Sequence, residues 1–248
     1  MHYHWDWGVF FKPTGVGSEI YLNWFVSGLM MTLGVALSAW VIALILGTVL
    51  GVMRTVPGKI VSRIAGAYVD LFRNVPLLVQ LFVWYYVIPD WLPDNLSNWL
   101  KQDISPVTNA FITVTVCLGL FTAARVCEQV RTGIQALPKG QTNAALALGL
   151  ALPQVYRQVL LPQAFRIIIP PLTSEFLNII KNSSVASLVA LPELLAQTKQ
   201  LVDFTANQFE AYTLGTLIYF VVNMLLMFFM RWVEKRLRVP GLIALGGK

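Results

Sequence analysis

Charge is scarce in this sequence: of 248 residues, only 12% are Asp, Glu, Lys or Arg. A soluble domain carries about a quarter. With 56% hydrophobic residues and a positive mean hydropathy, the shortage excludes a soluble globule and leaves a polytopic membrane protein. Histidine is almost missing. His2 and His4 are the only two, and their terminal position excludes a buried Ser-His-acid set; without further ligands they make no metal site. Cys117 and Cys127 are the only cysteines. They share one apolar run, which rules out a disulfide between them, and a lone pair does not hold a metal. Also absent is a phosphate loop: Gly15-Val16-Gly17-Ser18-Glu19 lacks the Lys and the preceding strand, so the chain does not hydrolyse ATP alone. Met1 to Tyr21 has no basic n-region and no cleavage-type end, which argues against a signal peptide. Its Trp5, Trp7, Phe10 and Phe11 suit an interfacial segment, residues 1–25.

What is present is long apolar runs. A bilayer core of about 30 Å needs roughly 20 helical residues, and the sequence predicts five spans, at 26–53, 69–88, 107–136, 167–191 and 212–232. The first is rich in small residues, among them Gly28, Gly34, Gly47 and Gly51, which let helices approach closely in lipid. The fourth is the least apolar, interrupted by Pro170-Pro171, Glu175, Lys181 and several Asn and Ser. Although the net charge is +6, Lys and Arg cluster at the ends of apolar runs, as cytoplasmic anchors do, and imply no nucleic acid. Arg54, Lys59 and Arg63, then Lys139, Arg157 and Arg166, then the basic tail 233–248 mark the inside, so the N-terminus is expected outside and the C-terminus inside.

Between the third and fourth spans lies a polar-flanked loop, 138–166. Thr142 is placed to N-cap a short helix through Leu150, and Pro153 suits the first turn of a second one. There Val155, Tyr156, Val159 and Leu160 form an apolar face opposite Gln154, Arg157 and Gln158. Amphipathicity alone fits two outcomes, a helix lying on the lipid surface or one seated in a partner's groove.

The spacing of that loop carries a resemblance. Asn143-Ala144-Ala145, three residues, Gly149, nine residues and Val159-Leu160-Leu161-Pro162 resemble the coupling-loop motif of ABC importer permeases, with Asn143 where the family usually has Glu. Leu71 to Gln80, Glu128 to Gln141, and Pro170-Pro171 through Lys181 to Leu195 extend the likeness over nearly the whole chain, toward the polar amino-acid permeases and among them those for glutamate and aspartate. The resemblance implies an all-α integral membrane fold of the type I ABC importer permease kind, in the bacterial cytoplasmic (inner) membrane. It implies as partners an ABC ATPase homodimer, a second permease subunit that is a paralogue or a second copy, and a periplasmic amino-acid-binding protein. ATP and Mg would belong to the ATPase, with no cofactor on this chain. Asn143, Ala144, Ala145, Gly149, Leu161 and Pro162 would couple to the ATPase.

Two polar stripes are candidates for the substrate path, because ionisable groups within spans are costly unless they face a cavity or a partner. Thr122, Arg125, Glu128 and Thr132 recur at helical spacing on the third span, and Glu175, Asn178, Lys181, Asn182, Ser184 and Ser187 on the fourth. The simpler alternative is mutual neutralisation, Arg125 with Glu128 at i, i+3 and Lys181 with Glu128 or Glu175. By the resemblance, Lys181 sits in a Lys-Asp-Ser/Thr-Ser stretch tied to gripping the amino-acid head group, with Asn182 in place of Asp, and Arg125 stands where the family commonly has Tyr. The expectation is that Lys181 holds the α-carboxylate, Glu128 the α-ammonium and Arg125 the side-chain carboxylate. The competing class, a self-contained secondary transporter or channel, would also use polar stripes, but no internal repeat is present.

Overall fold

The structure, a computed structural model, describes residues 3–15 and 18–237. His2, the Val16-Gly17 part of the glycine loop and the tail from Arg238 lie outside the described residues. Regular structure among them is helical, with one isolated antiparallel bridge between Pro13 and Ile20. In chain order the main helices are α1 (Tyr21–Met53), α2 (Lys59–Asn74), α3 (Leu77–Trp91), α4 (Pro106–Gln135), α5 (Lys139–Ala147), α6 (Leu161–Asn182), α7 (Leu194–Thr205) and α8 (Gln208–Leu237). By length and composition α1, α4 and α8 are able to cross a membrane, and they carry the first, third and fifth predicted spans.

The other two predicted spans need correction. The second, expected as one run over 69–88, is broken: α2 stops at Asn74, Val75 is extended at φ −99° and ψ 129°, and α3 sets off at 101° to α2. Pro76 is the cause. It lacks an N–H for the helix ladder, and its ring pushes the residue before it out of the α region. The fourth, expected over 167–191, begins earlier, at Leu161, and ends at Asn182, where the chain tightens into a 3-10 turn, Ser183–Leu188. α1 already starts at Tyr21, within the segment 1–25.

The chain forms two compact units, each assembled from three separate stretches. The first comprises residues up to Trp40, Pro76–Gly119 and Asn178–Leu225. Its core gathers Val9, Phe10, Tyr21, Phe25, Leu194, Leu201 and Ala211. Two carboxylates are buried in it without accessible surface, Glu193 and Glu210. Glu193 caps α7 by accepting the Ala196 N–H at 2.8 Å and also accepts the Tyr219 hydroxyl at 2.7 Å. Glu210, in the first turn of α8, accepts the Asp6 N–H at 2.6 Å and the Tyr3 hydroxyl, and so clips the N-terminal segment onto that helix. The second unit comprises Val41–Val75, Leu120–Leu177 and, of the described residues, 226–237. Its core is Leu50, Ala65, Val69, Ala124 and Cys127. α1 meets α4 here at glycines: a Cβ at Gly47 or Gly51 would come within 2.6 Å of Val126 or Val130 respectively, so only a bare backbone fits.

Candidate functional site

The loop 138–166 folds as a helical hairpin whose first helix starts one turn earlier than expected. α5 begins at Lys139, with Pro138 at its N-cap position (φ −58°, ψ 129°) and no side-chain cap, so Thr142 lies inside the helix instead of capping it. Pro138 sets the entry by its fixed φ, and its carbonyl accepts the Gln141 N–H at 3.0 Å. α5 stops at Ala147, short of Leu150, because Gly149 takes φ +82°, a left-handed value that costs side-chain-bearing residues strain. The Leu150 N–H returns to the Ala145 carbonyl at 3.2 Å, closing the helix end. Pro153 falls in the first turn of the next helical segment, Leu152–Gln154, where the Gln154 side chain accepts the Ala151 N–H at 2.8 Å. This segment runs through a π turn, Val155–Leu160, into α6, at whose start Leu161 and Pro162 stand.

The amphipathic division is as the sequence has it, with Val155, Tyr156 and Leu160 buried and Gln154, Arg157 and Gln158 exposed. On α5, Ala145 is buried while Asn143 and Ala144 face out, and Leu148 is 83% exposed at the hairpin tip. Behind the hairpin lies a cavity of ≈ 560 Å³, within the usual size range of ligand clefts, with Arg54, Thr55, Gln135, Thr142 and Tyr156 among its walls.

The polar groups of the second unit converge on a smaller pocket of ≈ 260 Å³ lined by Arg73, Arg125, Glu128, Gln129 and Glu175. Their pairing differs from both sequence expectations. Glu128 does not pair with Arg125: one of its oxygens is held by Arg54 at the end of α1, and the other by Arg131, with Arg131 Nη2 at 3.0 Å and Nε at 3.1 Å. Arg125 rests over the Phe121 ring at 5.1 Å and faces Glu175 on α6, with 3.7 Å between Nη1 and Oε2. That separation is too long for a hydrogen bond, and Glu175 Oε2 is buried without accepting one.

Lys181, Asn182, Ser184 and Ser187 belong to the first unit and do not line this pocket. Lys181 is exposed at the last turn of α6, and the Ser184 hydroxyl donates to its carbonyl at 2.7 Å. Ser187 accepts a bond from Lys199 Nζ at 3.2 Å. Three arginines of the second unit were not candidates from sequence. Arg54 reads as a topology charge at a helix end, and Arg73 as part of a helix-stop, so neither declares a polar site. Only Arg131, three residues after Glu128, carried a local signal.

Comparison with known proteins gives a consistent family. Residues 43–239 match the family model described as binding-protein-dependent transport system inner membrane component. The glutamate/aspartate import permease protein GltJ of Escherichia coli K12 is 48% identical over 248 residues, covering 100% of both chains. The probable glutamine permease protein GlnM of Bacillus subtilis is 34% identical, covering 86% of this chain and 93% of its own. Among solved structures, an amino acid ABC transporter crystallised with histidines superposes with a TM-score of 0.73 at 30% identity, over 87% of this chain and 95% of that one. The inward-facing methionine transporter MetNI, at 20% identity, has the same fold with a TM-score of 0.73, over 88% of this chain and 98% of its own.

Proposed function

The chain belongs to the binding-protein-dependent transport system inner membrane components, and on that premise we propose that it forms the translocation path for an acidic amino acid, glutamate or aspartate, and couples that path to a separate ATPase. It is a multi-pass inner-membrane subunit of an ABC importer, which works with a second permease and an ATPase. The finer assignments are our reading: five spans with the N-terminus outside, a paralogous permease partner, an ATPase homodimer that alone binds ATP and Mg, and a periplasmic protein that delivers the substrate. No metal or cofactor is assigned to this chain.

The hairpin carries the coupling reading. Its tip exposes Leu148 and Ala144 beside a glycine-set turn, while the apolar face of its second half is already spent on the chain's own core. A surface helix lying on lipid would turn that second apolar face outward; here it is buried, and what remains outside is a small, rigid knob suited to a protein cleft. Asn143, Ala144, Ala145 and Gly149 shape the knob, and Leu161 and Pro162 join it to α6. A charged, bulky residue on the knob should block docking without disturbing the bundle. In detergent extracts, Ala144→Arg should leave the two permeases associated and lose the ATPase from the complex; an ATPase retained at the unaltered amount refutes the coupling role.

The substrate reading rests on the 48% relative and on the two arginines, Arg73 and Arg125, that line the pocket while Glu128 is already held by Arg54 and Arg131. We assign Arg125 to a substrate carboxylate, since a guanidinium presents two parallel N–H groups to one. Lys181, with Asn182, Ser184 and Ser187, is our second polar set along the path. Glu128 is not assigned to the ammonium, because both of its oxygens are held by Arg54 and Arg131.

A further inference from the structure

The pocket of the second unit is lined by Arg73 and Arg125 against Glu128 and Glu175, and two further arginines outside the lining, Arg54 and Arg131, bond Glu128. The surplus is positive, and it is not evenly shared. Glu128 is saturated by Arg54 and Arg131. Arg125 and Glu175 face each other across 3.7 Å without a hydrogen bond, so each keeps its bonding capacity for something placed between or above them. Arg73, in the last turn of α2 just before the Pro76 break, has no ion-pair partner among the described residues and points its charge at the same pocket wall. Ionisable residues on membrane helices usually face a cavity, a partner or a ligand.

These three groups match the three charges of an acidic amino acid. An ammonium and a carboxylate on one carbon atom form a compact head of opposite charges, the complement of a loosely apposed carboxylate and guanidinium. A second carboxylate, further along the ligand, then needs a second cation. We propose that Glu175 holds the substrate's α-ammonium beside Arg125, which takes the α-carboxylate, and that Arg73 takes the side-chain carboxylate and so selects acidic over neutral amino acids. This rests on the substrate reading above and changes its detail: the ammonium partner is Glu175 in place of Glu128, and Arg125 moves to the head group. A ligand of net charge −1 also lowers the positive surplus, which a zwitterion such as glutamine does not.

The test uses the whole complex of both permeases and the ATPase in nanodiscs, without the binding protein, so that the path and not the delivery subunit is read. Equilibrium binding of L-glutamate, L-glutamine and glutarate is measured for the wild type, Arg125→Gln, Glu175→Gln and Arg73→Gln. Losing one charge-assisted bond corresponds to about a tenfold change in Kd or more. Glu175→Gln should weaken glutamate and glutamine by about that factor and spare glutarate, which has no ammonium. Arg73→Gln should weaken glutamate and glutarate and leave glutamine unchanged. If Glu175→Gln weakens glutarate as much as glutamate, or if either variant binds glutamate like the wild type while Arg125→Gln does not, this grip is refuted and the substrate reading stands. A wild-type complex that binds no glutamate overturns both.

Discussion

Glu128 carries two guanidiniums, Arg54 from α1 and Arg131 from the next turn of its own helix, with its side chain only 18% exposed. Removing such a carboxylate leaves two positive charges close together in a poorly hydrated place. Exposed pairs contribute about 0–1 kcal/mol and breaking a buried pair costs about 3–5 kcal/mol; this one lies between. Glu128→Ala is therefore expected to lower stability by about 2 kcal/mol, seen as earlier unfolding of the purified complex in detergent, whereas Glu128→Gln should recover part of the loss through hydrogen bonding. A Glu128→Ala complex as stable as the wild type, with glutamate binding lost, would return the residue to the substrate. Sequence shows why the assignment moves: helical spacing put Glu128 on a polar stripe, which is correct, but its partner Arg54 lies 74 positions away, and pairings across that distance have no local signature. The same holds for Glu193 and Tyr219, whose bond joins the start of α7 to the middle of α8.

At the scale of elements, the helices on which composition speaks clearly came through: α1, α4 and α8 lie where long apolar runs are, and the glycines of α1 mark its contact with α4. The helical hairpin was legible in its apolar face and in Pro153 and Gly149, each of which acts through its own backbone. Two stops were not. Thr142 has a capping side chain, yet Pro138 starts the helix first, because its fixed φ sets the helix entry one turn upstream. At Pro76 the run of apolar residues hid a break that the proline itself encodes. The hairpin also bears on Asn143, which is exposed on α5 and stands where the family motif usually has Glu. If the exposed Ala144 and Leu148 form the proposed docking surface, shape should outweigh charge at that position. Asn143→Glu is expected to assemble with the ATPase and to transport in proteoliposomes at a rate within about twofold of the wild type, since an exposed charge contributes about 0–1 kcal/mol; complete uncoupling of ATP hydrolysis from uptake would show that the position acts through its charge.

For the molecule as a whole, the division into two units, each built from three separate stretches, means that neither folds from a continuous piece of chain. Family membership makes this the membrane subunit of an ABC importer. Reconstituted with its partner permease but without the ATPase, the chain should move no glutamate down a proton or sodium gradient, and uptake should appear only when ATPase, ATP and binding protein are supplied. Gradient-driven uptake by the permeases alone would reinstate a secondary transporter.

The clip at Glu210 sets an order in time. Tyr3 and Asp6 are made first, but the carboxylate that receives them lies 207 and 204 positions later. During synthesis the segment bearing Tyr3 and Asp6 must therefore wait until the start of α8 has left the ribosome. Its closure onto α8 is a late step of biogenesis, and a nascent chain stopped before α8 would present that segment unlatched.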